Sequence, residues 1–114
     1  MLDGKLQLKN GQTIAVINEP YEVEVAAVRA RTDAAHAVLV FVENRAALEE
    51  RIAVLRDAAA RGALAWLAYP KAKQLRTVLN RDIIRDLAQD RGLDPVRQVS
   101  INEVWSGLRV KLLV

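Results

Sequence analysis

The chain has 114 residues, 27% of them charged and 52% hydrophobic, which fits one folded domain and excludes long disorder. Cysteine is absent, so disulfides, thiolate nucleophiles and thiolate metal sites are excluded. The net charge of +3 is mild, and points to nucleic acid only if the excess gathers on one face.

The start, Met1-Leu2-Asp3-Gly4-Lys5, has no apolar run behind a basic segment, so no signal peptide is expected. No apolar stretch approaches the ~18 residues of a membrane span. A cytoplasmic protein without a membrane partner is the expectation. Lys9-Asn10-Gly11-Gln12 is a turn by composition, and Thr13-Ile14-Ala15-Val16-Ile17 is a short apolar strand. Asn18-Glu19-Pro20-Tyr21 ends it, because proline cannot extend a central ladder. From Glu22 to Ala30 the pattern predicts a turn or short helical piece leading to a short edge strand.

Ala37-Val38-Leu39-Val40-Phe41-Val42 is uncharged and rich in β-branched residues, the signature of a strand buried on both faces. Asn44 is placed to cap a helix running to about Arg61. Leu48, Ile52, Leu55 and Ala59 form its apolar stripe, and Gly62 suits a left-handed terminator. Leu64-Ala65-Trp66-Leu67-Ala68-Tyr69-Pro70 is a second uncharged run, so the two runs are predicted to be parallel neighbours joined by a right-handed crossover. Lys71 to Arg76 reads as a polar loop. Asn80 is a candidate cap for a helix with Ile83, Ile84, Leu87 and Ala88 on its apolar side, stopped at Gly92. The last segment alternates through Val99, Ile101 and Val104, then Leu108, Val110 and Leu112. A turn at Ser106-Gly107 would make it an antiparallel pair. The expected fold is α/β: a single Rossmann-like three-layer domain over 1–114, mostly parallel, with an antiparallel C-terminal strand pair.

This order of elements resembles a truncated class I methyltransferase-type Rossmann domain. The resemblance implies a glycine-rich turn after the first strand, where a cofactor meets the backbone. Asn18-Glu19-Pro20-Tyr21-Glu22 stands there without glycine, so no cofactor is expected. The chain also resembles the small bacterial proteins of the domain-of-unknown-function 3052 family. That resemblance rests on Val38 to Val42, on Leu64 to Lys71, and on Glu103-Val104-Trp105-Ser106-Gly107-Leu108-Arg109. It implies a fold and brings no activity with it.

Ligands of open α/β sheets gather beyond the carboxyl ends of the parallel strands. That edge would assemble Asn18, Glu19, Tyr21, Glu43, Asn44, Tyr69, Lys71 and Lys73, either as a binding site or as solvated loop residues and caps. His36, the single histidine, falls at a strand start, the wrong end for such a site, and reads as structural. Glu103, Trp105, Ser106 and Arg109 are the densest polar-aromatic cluster. They make an interaction surface on one reading. On the other, Trp105 packs under a helix and Glu103 pairs with Arg109. Lys71, Lys73, Arg76, Arg81 and Arg85 are interleaved with Asp82, Asp86 and Asp90, which suits a salt-bridged helix face and argues against nucleic acid.

Two functions follow. One is a non-catalytic Rossmann-like binding or interaction domain, with a protein partner or a second copy of itself. The other is a reduced methyltransferase-like protein holding a nucleotide or other small anion, with Lys71 and Lys73 at phosphate and Asn18 or Glu19 at a ribose.

Overall fold

A computed structural model describes residues 2–72, 74–76 and 79–113. The elements in chain order are α1 (Leu2–Lys5), β1 (Thr13–Ile17), β2 (Val28–Arg29), β3 (Ala37–Phe41), α2 (Arg45–Ala60), β4 (Leu64–Pro70), α3 (Arg81–Asp90), β5 (Leu93–Ser100) and β6 (Trp105–Leu112). A short turn at Gln74–Arg76, with Leu75 left-handed at φ +51°, lies between β4 and α3. The strands form one sheet of six in the order β2-β1-β3-β4-β6-β5. β2, β1, β3 and β4 are parallel, and β6 runs antiparallel to both β4 and β5. The domain is therefore α/β, with a six-stranded mixed sheet that is mostly parallel and ends in an antiparallel pair.

The period of two along the buried strands divides the core. From β3 and β4, Val38, Val40, Ala65, Leu67 and Tyr69 face one way, beneath Leu48, Ile52 and Leu55 of α2 and Ile84 and Leu87 of α3. Leu39, Phe41, Trp66 and Ala68 face the other way, beneath Leu6, Leu8, Val23 and Trp105. Both long helices thus cover the same side of the sheet. The third layer is made from α1 and irregular chain instead of helices. Both faces of β3 are buried, which is why its sequence carries no polar alternation.

The helix boundaries are set by side-chain caps. Asn44 Oδ1 accepts from the Ala47 amide at 2.8 Å, and Asn80 Oδ1 from the Ile83 amide at 2.9 Å. Gly62 and Gly92, at φ of +81° and +83°, turn the chain out of α2 and α3. Of the apolar set read for α3, Ile83 is exposed while Ile84, Leu87 and Ala88 are buried.

Two sequence expectations at the C-terminus are corrected. Ser106-Gly107 is not a turn: both residues lie inside β6 and are buried. The turn comes earlier, where Asn102 Oδ1 accepts from the amides of Val104 and Trp105, each at 2.8 Å. Nor does the first strand of the pair run on through Ile101 and Val104, which lie in the connection to β6, and β6 itself is inserted between β4 and β5. The edges are β2, of two residues, and β5, which carries Pro95 and an irregularity between Pro95 and Arg97. Short length, proline and a bulge all blunt an edge against strand pairing. Among the described residues no helix is long and apolar enough to cross a membrane.

Candidate functional site

The chain leaves β1 toward β2 on one side, while β3 lies on the other. This reversal makes the carboxyl ends of β1 and β3 the switch point at which such sheets open a crevice. The crevice is present, at about 220 Å³, lined by Asn18, Phe41, Glu43, Asn44, Ala47 and Trp105. It falls below the ~300–1,000 Å³ usual for small-molecule pockets.

Asn18 makes the bend that ends β1. Its φ of +57° is left-handed, a conformation asparagine tolerates better than most residues. Its side chain then occupies the exit: Nδ2 donates to the Phe41 carbonyl at 3.4 Å, and Oδ1 accepts from Arg51 Nη2 at 3.4 Å. Arg51, on α2, has a buried Nε without a partner among the described residues. Phe41 and Trp105 form the apolar wall, edge to face with ring centroids 5.0 Å apart. Tyr21 also meets Phe41 edge to face, with ring centroids 6.1 Å apart. Burial, and secondly the Glu19 charge, raise the Tyr21 phenol above its ordinary value.

The other predicted site residues are held by structural partners. Glu19 takes a two-pronged contact from Arg29, at 2.8 and 3.2 Å, and the Val23 amide at 2.7 Å. The Arg29 hydrogen bond is the main reason its carboxyl lies below the usual range. Lys71 Nζ donates to Ser100 Oγ at 2.7 Å. Tyr69 is buried, with its hydroxyl 3.4 Å from Gln98 Nε2, and burial raises its phenol while Arg81 partly opposes this. Lys73 lies outside the described residues, and so does the side chain of Arg76.

The cluster near the C-terminus is divided by the sheet. Trp105 and Ser106 are buried and Glu103 is exposed. Arg109 donates to Gln7 Oε1 at 2.7 Å across the N-terminal face. His36 is exposed at the amino end of β3, where Nδ1 accepts the Thr13 amide at 3.0 Å and ties β3 to β1. Residues that sequence reasoning did not find at the site are Phe41, Ala47 and Arg51. They come from a strand and a helix with no motif to mark them.

The loop after β1 rests on two carboxylates. Beside Glu19, Asp3 accepts the Ala26 amide at 2.9 Å and the Ala27 amide at 3.0 Å. For Asp3, burial opposes ionisation and these two amides outweigh it, so its carboxyl is also held low. A carboxyl lowered on folding contributes stability above its unfolded pKa and loses it as pH falls through the folded value. Acid should therefore loosen residues 19–29 at or below the ordinary carboxylate range, before the core yields. The check is amide NMR of Val23, Ala26 and Ala27 from neutral to acid pH. E19Q should remove the Val23 step and leave those of Ala26 and Ala27, and a Val23 step unchanged in E19Q would refute the assignment.

Comparison with protein-family models gives no match, and comparison with curated proteins gives none at a significant level.

Proposed function

We propose that this chain is a non-catalytic Rossmann-like binding domain, acting by contact with a partner and not by turnover. The observation that carries the reading is the commitment of the carboxyl-edge polar groups to partners within the chain. Glu19 accepts three hydrogen bonds from Arg29 and Val23, and Lys71 donates to Ser100. The crevice at the same edge is narrowed by the Asn18 side chain and backed by two aromatic rings. Catalytic acids and bases need a reacting atom within hydrogen-bond reach, and these groups spend that reach on the fold. The resemblance to the domain-of-unknown-function family belongs to the same proposal and adds no activity to it.

One observation favours the alternative of a small anionic ligand in the crevice: the unpartnered Nε of Arg51 beside Asn18. Against it stands Glu43, a carboxylate in the crevice wall. A thermal-shift panel of adenosyl cofactors and nucleotides, run on the protein and on Ala47→Trp, separates the two. Ligand at a hundred times its dissociation constant adds about 2.7 kcal/mol, roughly 10 °C for a domain of this size. No shift that depends on Ala47 is expected. A shift of that size abolished by A47W would overturn the partner-binding reading in favour of the crevice ligand.

A second copy of the chain is one partner within this proposal. With β2 and β5 blunted, it would be met by side chains such as Val96, Leu112 and Leu113, which are exposed, and not by strand addition. Light scattering over a concentration series reads it directly, and a constant monomer removes that partner.

A further inference from the structure

A second cleft, on the helix side of the sheet, has a different character. It lies between α3 and the edge strand β5, has a volume of about 260 Å³, and is lined by Arg81, Arg85, Pro95, Arg97, Gln98 and Leu108. Three of those residues are arginines and none is acidic. Arg81 and Arg85 are one helical turn apart, so they project from the same side of α3. Arg97 follows the irregularity in β5 and forms the facing rim.

We propose that this cleft binds the phosphoryl group of a small phosphorylated molecule. The guanidinium groups are weakly engaged in the free protein. Arg81 Nη1 reaches Gln98 Oε1 at 3.4 Å, and Arg85 Nη2 reaches Asp82 at 3.5 Å, both well beyond the ~2.9 Å of a strong N–H···O bond. Arg97 has no ion pair among the described residues. A phosphate offers each guanidinium a short, charge-assisted and often two-pronged contact, so it exchanges long bonds for strong ones. The Gln98 amide, 3.4 Å from the Tyr69 hydroxyl, is likewise free to turn one N–H to a ligand oxygen. Pro95 and the buried Leu108 supply an apolar floor, and less water beside the arginines strengthens their pull.

A nucleic-acid backbone fits less well. It needs cations repeated along a track, and Asp82, Asp86 and Asp90 on the exposed side of α3 interrupt any extension of the three. The site is separate from the switch-point crevice and stands or falls on its own titration.

The test is calorimetric titration with inorganic pyrophosphate at fixed ionic strength, with amide and arginine Nε NMR on the same samples. The expected result is saturable binding of one pyrophosphate per chain, with the Gln98 side-chain amide among the shifted signals. R81Q/R85Q should weaken it at least tenfold, and R97Q by less. R45Q/R56Q, which removes the same charge from α2, should leave it unchanged. All these side chains are exposed, and circular dichroism verifies that each variant is folded. Ribose 5-phosphate and a nucleoside monophosphate then distinguish a sugar phosphate from a nucleotide as the source of the phosphoryl group. No saturable binding at millimolar pyrophosphate overturns the proposal. So does equal weakening by the α2 control, or tight binding of a single-stranded oligonucleotide without binding of pyrophosphate.

Discussion

Trp66→Ala is expected to cost about 4 kcal/mol, within the ~3–5 kcal/mol for truncating a buried aromatic ring. That is a large part of the ~5–15 kcal/mol that holds a domain of this kind. Trp66 is fully buried at the middle of β4, beside Leu39 of β3 and opposite Arg109 of β6. Its indole Nε1 also donates to the Leu6 carbonyl at 3.0 Å, in the interior. The side chain therefore does two things, filling the sheet face that lacks long helices and fastening the N-terminal segment onto it. Alanine leaves a cavity and an unpaired carbonyl, whereas phenylalanine leaves mainly the carbonyl, at ~1–3 kcal/mol. Urea unfolding should show W66A with a much lower midpoint and an unchanged slope, and W66F between it and the parent. Hydrogen exchange at residues 6–8 should accelerate in both variants. A cost below about 1 kcal/mol for W66A, against the range expected of a buried ring, would contradict the packing of this face.

The same two-faced burial explains why the centre of the sheet was legible in the sequence. β3 and β4 have helix or chain on both sides, so their runs admit no charge, and only parallel central strands commonly read that way. α2 and α3 were legible through their stripes, their asparagine caps and the glycines behind them. The direction of the strands then placed Asn18, Glu43, Asn44 and Lys71 at the correct end of the sheet. What the sequence did not disclose were side-chain pairings between separate elements. Nothing near Glu19 in the chain announces Arg29, and nothing near Lys71 announces Ser100. At the C-terminus composition misled for a physical reason. Gly107 is small because a Cβ there would come within 3.2 Å of Val99 and 3.3 Å of Ile101, a close approach inside a strand and not a turn. Pro95 sits within β5 because an edge strand accommodates proline at a bulge.

Phe41→Ala should be costly as well, but less so than the change at Trp66. The ring is buried at the end of β3 and meets Trp105 at 5.0 Å and Tyr21 at 6.1 Å, both edge to face. Truncating such a ring costs ~3–5 kcal/mol, rising with the volume of the void that remains closed. Phe41 lines the switch-point crevice, so its void opens to water and the cost should fall near 3 kcal/mol, at the low end of that range. A double-mutant cycle of F41L with W105L should return ~0.5–1.5 kcal/mol for the edge-to-face contact. The change also has a reporter at a distance from the stability measurement. Tyr21 owes its raised phenol pKa first to burial and second to Glu19, and Phe41 is the ring it rests on. Tyr21 is already 38% exposed, and removing that ring takes away more of its cover, so its titration should move down toward the ordinary tyrosine value in F41A. In E19Q the charge is gone but the burial stays, and the shift should be smaller. An ultraviolet absorbance titration of the folded variants orders the two effects. If E19Q moved Tyr21 further than F41A, then the Glu19 charge, and not the aromatic wall, would govern the chemistry at the mouth of the crevice.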